Sequence, residues 1–188
     1  MEKLPEHLGG GERRCHNDPG ALQWAMKKFD IKSMVDVGCG RGCVVQDGLN
    51  LGLDALGIDG DPGHLHGEYS FTRPEDMPFL LHDYSTGPAP VDREFDLCWS
   101  VEFLEHVDPD YIPNFMDTFQ KCKYVICTHA VPGMGGHHHV NCQEKEYWFD
   151  VFDHYGFDYS QPYTEKLKSK STMKKYFMRE NGLFFVRR

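Results

Sequence analysis

The sequence predicts an α/β fold in which a doubly wound, mostly parallel sheet of seven strands is covered by helices on both faces. Three observations indicate this architecture. Short apolar runs alternate with helical patterns along the chain, as parallel strands joined by right-handed crossovers require. One of these runs, beginning at Ser33, leads directly into a glycine-rich turn. The length of 188 residues suits a single domain of this kind.

Capping residues and glycines predict the first two helices and the first two strands. Asn17–Gly20 supplies a cap and a first-turn proline for a helix that reaches Phe29. The run Ser33–Gly42 reads as a buried strand that enters a tight turn, and the turn opens a second helix over roughly residues 41–51. The next strand covers residues 55–58 and stops at Asp59. Together these segments form one helix-and-strand unit.

The remaining apolar runs complete the pattern, after an irregular connection over residues 64–78 that contains Pro74. Strands are predicted at residues 79–82, 95–100, 124–128, 157–164 and 183–186, and helices over about 110–121 and from Asn141 to Gly156. From Glu165 onward, the sequence contains eight lysines and arginines and only two acidic residues. We expect this basic segment to join two solvated edge strands, although it could instead help to hold an anionic substrate.

Composition predicts one domain, residues 1–188, that works in the cytoplasm. No apolar run approaches the ~20 residues of a membrane helix. The N-terminus has no apolar core of the secretory kind, and the seven cysteines include no C-x-x-C pair, so we expect reduced thiols. The net charge of −9 argues against a nucleic-acid partner.

The glycine-rich turn identifies a family. Gly38, Gly40 and Gly42 allow positive φ and let a ligand lie against the main chain. A dinucleotide fingerprint would place its third glycine at position 43, which is Cys43, so the spacing is D-x-G-x-G-x-G. The stretch Asp36–Gly42 resembles motif I of the class I S-adenosylmethionine (SAM) dependent methyltransferases. The resemblance covers nearly the whole chain and implies a Rossmann-like methyltransferase fold with an antiparallel C-terminal edge strand.

The resemblance also implies a cofactor site for SAM and its product S-adenosylhomocysteine. The glycines would pass under the methionine and ribose portion, Asp59 would accept from both ribose hydroxyls, and Asp83 from the adenine amino group. Tyr84 would pack on the base, and the main chain at residues 100–101 would meet the methionine end. Asp59 and Asp83 have a simpler alternative, because aspartate commonly caps a turn after a strand. The predicted cofactor-binding residues are Asp36, Gly38, Cys39, Gly40, Gly42, Asp59, Gly60, Asp83, Tyr84, Ser100 and Val101.

Histidines mark the expected acceptor end of the cleft. His106 lies in a stretch, residues 101–107, that resembles the segment after strand four of small-molecule methyltransferases. The alternative is that the acids of this stretch belong to a first helical turn, where they favour the positive end of the dipole. His137, His138 and His139 follow strand five, where a neutral imidazole can take a proton from an attacking hydroxyl or amine. We therefore nominate His106, His137 and His139 as catalytic, with His129 as a rival. Consecutive histidines on an extended segment point in alternate directions, so no metal is expected.

The predicted function is methyl transfer from SAM to an oxygen or nitrogen of a small molecule. Residues 100–103 lack the Pro-Pro-aromatic signature of DNA amino methylation and the Pro-Cys of cytosine methylation. Two alternatives stay open on the sequence. One is a SAM-binding regulatory or scaffold protein without catalysis. The other is an NAD-dependent oxidoreductase, against which the missing third glycine counts.

Overall fold

A computed structural model describes residues 5–8, 15–63 and 76–188. Its strands are β1 (Ser33–Val37), β2 (Asp54–Asp59), β3 (Phe79–Leu81), β4 (Phe95–Ser100), β5 (Cys122–Thr128), β6 (Phe157–Tyr159) and β7 (Gly182–Arg187). Its helices are α1 (Pro19–Phe29), α2 (Cys43–Asn50), α3 (Ile112–Phe119), α4 (Lys145–His154), α5 (Gln161–Lys170) and α6 (Phe177–Asn181). Most of the irregular connection expected over residues 64–78 lies outside the described ranges.

The predicted sheet is confirmed. Its seven strands follow the order β3-β2-β1-β4-β5-β7-β6. The pairs from β3 to β5 are parallel, whereas β7 lies antiparallel between β5 and β6. Strand order reverses between β1 and β4, and in such sheets the ligand binds at the carboxyl ends of the strands beside this reversal. The topology therefore assigns the cleft to the segments that follow β1, β2, β4 and β5.

Both faces of the sheet are buried, which holds the strand ends in fixed positions. One face packs against aromatic side chains of α3 and α4, including Phe115, Phe119 and Phe152. The Phe152 ring stacks on Phe185 of β7 with centroids 3.8 Å apart. The opposite face packs against α1, where Ala21, Leu22 and Ala25 are buried. Burial of this extent makes the central strands a rigid platform for the loops at their ends.

The predicted pair of C-terminal strands is present as β6 and β7, but the first of them is shorter than the predicted residues 157–164 and the basic segment between them is mainly helical. Strand β6 ends at Tyr159, because Ser160 then caps α5 by accepting a hydrogen bond from the N–H of Tyr163. Pro162 occupies the first turn, where a missing N–H costs little. The lysines of residues 166–170 therefore lie on α5, and β7 begins only after α6.

Two further predictions concern the cysteines and membrane-spanning helices. Cys15 and Cys43 form a disulfide, so the prediction that all seven cysteines are reduced is wrong for this pair. The other five cysteines do not take part in disulfides within the described residues. The cause is spatial: Cys43 opens α2, against which the segment before α1 lies, as the Asn17–Asp47 hydrogen bond of 2.8 Å also shows. In the part of the chain described here, no helix has the length and apolar character needed to cross a bilayer.

Candidate cofactor and acceptor site

A cavity of about 650 Å³ lies at the carboxyl ends of the parallel strands. This volume is in the range of pockets that hold small ligands. Its walls come from the glycine loop, the ends of β2 and β4, and the loop after β5 that carries His137–His139. Of the residues that the sequence nominates for cofactor or acceptor, all line the cavity except Gly42, Ser100 and His129. The fold thus joins the predicted cofactor and acceptor ends in one space.

The glycine loop has the backbone that its sequence predicts. Gly38, Gly40 and Gly42 have φ angles of 73°, 50° and 74°, a left-handed conformation that side chains disfavour. The N–H groups of Gly38 and Cys39 both donate to the carbonyl of Ile58, at 2.9 and 3.1 Å. A Cβ atom at Gly38 would lie 2.6 Å from the Phe103 ring. The first glycine is therefore required by the packing of the loop against the segment after β4.

Two acids, near the ends of β1 and β2, lie beside the glycine loop, and one of them is bonded to its backbone. Asp59 accepts hydrogen bonds from the N–H of Gly40 at 2.7 Å and from the N–H of Asp61 at 2.9 Å. Asp36 is buried at the end of β1. Burial raises the pKa of the Asp36 carboxyl well above its usual range, and the negative charge of Asp59 raises it further. The two acids therefore differ in environment, with Asp59 the one that meets the loop backbone.

At the next strand end, Asp83 and Tyr84 point in different directions. Asp83 lies 2.8 Å from the Nε2 atom of His7 and accepts a hydrogen bond from the N–H of Ser85. Partial burial alone would raise the pKa of Asp83, but the hydrogen bonds from His7 and Ser85 lower it overall. The Tyr84 side chain is buried, and its hydroxyl lies 2.9 Å from the hydroxyl of Thr118. Its ring is packed against the core, and the residue also lines the cavity.

The ends of β1 and β4 are joined at the centre of the cleft. The buried Ser100 hydroxyl donates to the carbonyl of Val37 at 3.0 Å, and Val101 then lines the cavity. Gly60 also lines it, and a Cβ atom there would lie 2.6 Å from the Leu8 side chain. Residues 6–8 therefore form part of the wall beside Asp83. Sequence patterns did not predict that residues 6–8 line the cavity, because an irregular N-terminal segment carries no periodic pattern to interpret.

The acceptor end contains two glutamates of unusual environment. Glu102 has a left-handed backbone, with φ of 55°, and its N–H donates to the Thr128 hydroxyl at 2.8 Å. Glu105 is fully buried in the short 3₁₀ turn Leu104–His106, and within the described ranges neither of its carboxylate oxygens has a partner that meets hydrogen-bond geometry. Burial raises the pKa of both carboxyls, and the charge of Glu102 raises that of Glu105 further.

The histidines at this end are held by backbone carbonyls. His106 Nδ1 lies 2.8 Å from the carbonyl of His137, so Nδ1 carries the proton and Nε2 keeps its lone pair. Burial first, and then the neighbouring His139, lower the pKa of His106 to about 4, so its imidazole is neutral at physiological pH. The His139 ring lies 4.9 Å from that of His106 between centroids. His129, the rival candidate, is bonded to the carbonyl of Gln143 at 3.0 Å and lies away from the cavity.

Comparison with known proteins agrees with this geometry. Residues 35–127, which run from β1 to β5, match a family model described as a methyltransferase domain. This part of the chain is therefore a methyltransferase domain, and the fold is that of the SAM-dependent methyltransferases. The predicted family and cofactor class are thereby confirmed, and methyl transfer is favoured over the oxidoreductase alternative. No curated protein matches this methyltransferase at a significant level.

Solved structures share the fold of the methyltransferase at low sequence identity. A TehB-like SAM-dependent methyltransferase from Corynebacterium glutamicum has 15% identity and a TM-score of 0.62, covering 90% of this chain and 88% of its own. Magnesium protoporphyrin IX methyltransferase from Synechocystis with bound S-adenosylhomocysteine has 14% identity and a TM-score of 0.60, covering 89% and 80%. Human N-acetylserotonin methyltransferase in complex with SAM has 14% identity and a TM-score of 0.60, covering 90% and 51%.

Replacing Asp36 with Asn should stabilise the protein at neutral pH. The folded state raises the pKa of this buried carboxyl, whereas the unfolded chain ionises it near the ordinary value of about 3.9. Above that value the unfolded state releases a proton that the folded state retains, so the carboxyl favours unfolding; at lower pH the effect disappears. Thermal unfolding followed by circular dichroism should give Asp36→Asn a higher midpoint than the parent at about pH 7, with a smaller difference at about pH 4.

Asp150→Asn, at an exposed position of α4, is the matched control and should shift neither midpoint. A variant at Asp36 that is less stable than the parent at pH 7 would show that the ionised carboxylate is favourably compensated in the folded state.

Proposed function

We propose that this methyltransferase moves the methyl group of SAM to an oxygen or nitrogen atom of a small-molecule acceptor. The observation that carries the proposal is the single cavity whose one end is the glycine loop with Asp59 and whose other end is the histidine cluster of His106 and His137–His139. A transferase that brings two bound partners together needs such a shared space, because positioning supplies much of the rate enhancement.

In this proposal the cofactor lies along the ends of β1, β2 and β4. The glycine loop passes under the methionine and ribose portion, and Asp36 and Val101 lie towards its methionine end. Asp59 accepts from the ribose hydroxyls, because an ionised carboxylate is an acceptor with two oxygens. Asp83 accepts from the adenine amino group, for which His7 is a competing donor. Binding of the cofactor would then displace or share the contact of His7.

The acceptor in this proposal lies between the SAM methyl group and the histidine cluster. The nucleophilic oxygen or nitrogen forms a bond to the methyl carbon while the carbon–sulfur bond breaks, and the electron pair of that bond stays on sulfur to give S-adenosylhomocysteine. The acceptor loses a proton, and the neutral imidazoles of His106, His137 and His139 are the nearby groups able to assist that loss.

Three features support a small molecule as the acceptor. The cavity is of small-ligand size, and it is walled in part by residues 6–8. The net charge of −9 disfavours a polyanionic nucleic acid. Two structural neighbours are named for small acceptors, magnesium protoporphyrin IX and N-acetylserotonin. The test is turnover of methyl-labelled SAM against a panel of small hydroxyl and amine compounds. Tight SAM binding without label transfer to any compound, peptide or nucleic acid would favour a regulatory SAM-binding protein.

Gly40→Val should abolish SAM binding while the domain stays folded. Gly40 has a φ of 50°, which a β-branched side chain strongly disfavours, and its N–H donates to Asp59. Isothermal calorimetry should show a loss of SAM affinity of about 100-fold or more, as expected when a binding backbone and a charged hydrogen bond are both disturbed.

Gly52→Val is the matched control, because Gly52 also has a positive φ, of 83°, but a Cβ atom there meets nothing within 4 Å. Gly52 lies after α2 and does not line the cavity. It should keep parental SAM affinity at a similar cost in backbone strain. Equal affinity of both variants for SAM would reject the loop as the cofactor site.

His106→Ala should lower kcat by roughly 10²–10⁴-fold with the acceptor found in the panel, because a positioned proton acceptor contributes that much. The SAM dissociation constant should stay nearly unchanged, since His106 is assigned to the acceptor end. His154→Ala, at the exposed end of α4, is the control and should retain parental turnover. Parental kcat in the His106 variant would remove this residue from the acceptor site.

A further inference from the structure

Glu105, His106 and His139 converge although they come from two separate segments of the chain. One ligand atom from each, a carboxylate oxygen and two imidazole nitrogens, lies within 4.8 Å of the others. Bonds of about 2.1 Å place two ligands of one ion at most about 4.2 Å apart, so small side-chain rotations would bring all three onto a single ion. We propose that these residues form a binding site for a divalent first-row metal ion at the acceptor end of the cavity.

The carboxylate gives the first independent argument. Glu105 is fully buried, and among the described residues neither oxygen has a partner that meets hydrogen-bond geometry. Buried carboxylates in native proteins are almost always paired, hydrogen-bonded or bound to a cation. Its neighbour Glu102 is also a carboxyl, so the two side chains can share a proton but Glu102 supplies no positive charge. A cation held between Glu105 and the two imidazoles supplies the missing partner.

The imidazoles give the second argument, because one nitrogen of each ring already faces a backbone carbonyl. His106 donates from Nδ1 to the carbonyl of His137 at 2.8 Å, and His139 Nδ1 lies 3.2 Å from the carbonyl of Met134. Metal-binding histidines characteristically donate one ring N–H to such a carbonyl, which fixes the ring and leaves the other nitrogen as the ligand. Both rings therefore have Nε2 available for an ion.

The backbone around the cluster is shaped to hold it. A Cβ atom at Gly136 would overlap the His139 ring, so the glycine is needed for that ring to lie where it does. The carbonyl of Glu105 accepts hydrogen bonds from the N–H groups of both Val140 and Asn141, at 3.0 Å each. These contacts tie the loop after β5 to the turn after β4, and they hold His139 beside His106.

The structure also removes the sequence argument against a metal, which assumed that residues 137–139 are extended and that their side chains point in alternate directions. His138 has a left-handed φ of 47°, so residues 137–139 do not form a regular extended strand. The proposed site uses only His139 from this run and takes its other two ligands from the turn after β4. The proposal thus replaces the expectation that no metal takes part.

The donor set indicates the class of ion and its role. One carboxylate and two imidazoles suit Zn²⁺, Mn²⁺ or Fe²⁺ better than Mg²⁺, which prefers oxygen ligands. Three protein ligands leave coordination positions open, and both imidazoles line the cavity. If the proposed methyl transfer is correct, an acceptor hydroxyl can bind there and lose its proton more easily. When the ion is bound, His106 and His139 act through the metal as its ligands, and His137 or solvent takes the proton. This role favours oxygen as the methylated atom.

The test is ion binding by the full-length chain after dialysis against EDTA and then into chelator-free buffer. Calorimetry with MnCl₂, ZnCl₂ and MgCl₂ should show one Mn²⁺ or Zn²⁺ ion per chain, with weaker binding of Mg²⁺. Glu105→Gln and His139→Ala should each weaken that binding by about 100-fold or more, since even residues that only orient ligands contribute 10–100-fold. His138→Asn is the matched control from the same loop, because asparagine tolerates a left-handed φ, and it should bind the ion like the parent.

Thermal unfolding separates lost binding from lost folding. Added Mn²⁺ or Zn²⁺ should raise the midpoint of the parent and of His138→Asn but not that of Glu105→Gln. In EDTA, Glu105→Gln should be at least as stable as the parent, because its amide has the shape of the carboxyl without the buried charge. The proposal is rejected if the parent binds no ion at millimolar concentration, or if Glu105→Gln and His139→Ala bind it as tightly as the parent.

SAM calorimetry on the same preparations keeps this result distinct from the proposed function. Retained SAM affinity in Glu105→Gln would show an intact cofactor site, so that lost ion binding reports on the cluster itself. Failure of the parent to bind SAM would reject the proposed cofactor site and leave the ion measurement standing.

Discussion

The backbone N–H of Gly40 donates a 2.7 Å hydrogen bond to Asp59, and the form of the cofactor end depends on this contact. It joins the loop after β1 to the end of β2, two strands that are already paired in register. The backbone of the loop is left-handed at its three glycines, and the Asp59 carboxylate holds the amide of the middle one. Helix α2 then starts in a set direction, with Val44 and Val45 buried against the sheet.

A second set of hydrogen bonds fixes the acceptor end, and its acceptor is a backbone carbonyl instead of a carboxylate. The Glu105 carbonyl accepts from the amides of both Val140 and Asn141, so the segments after β4 and β5 move as one unit. These segments follow neighbouring parallel strands, whose ends meet at the same edge of the sheet. The hydrogen bonds at the two ends together set the width of the cavity, because each set fixes one of its walls to the sheet.

The sequence correctly predicts the parts of this structure that are encoded by a hydrophobic period or by the spacing of particular residues. The sheet, the left-handed glycines and the placement of His106 and His139 at one cavity follow from apolar runs and from the rule that parallel strands end at a common edge. The sequence wrongly predicts residues 160–164 as strand, because the cap at Ser160 and the proline after it compete with an aromatic, β-favouring composition. It also gave no indication that Cys15 lies beside Cys43, because no local pattern encodes a contact between separate segments.

The two ends of the cavity differ in how completely the protein satisfies its own polar groups. At the cofactor end, Asp59 and Asp83 each accept hydrogen bonds from backbone amides, so folding alone stabilises their charges. At the acceptor end, both Glu105 oxygens and the Asn141 Nδ2 are buried without hydrogen-bond partners in the part of the chain that the structure describes. A fold that had only to be stable would replace such groups with apolar ones, since each unpaired polar atom costs about 1–3 kcal/mol. Their presence beside two oriented imidazoles indicates that this region is shaped by what it binds.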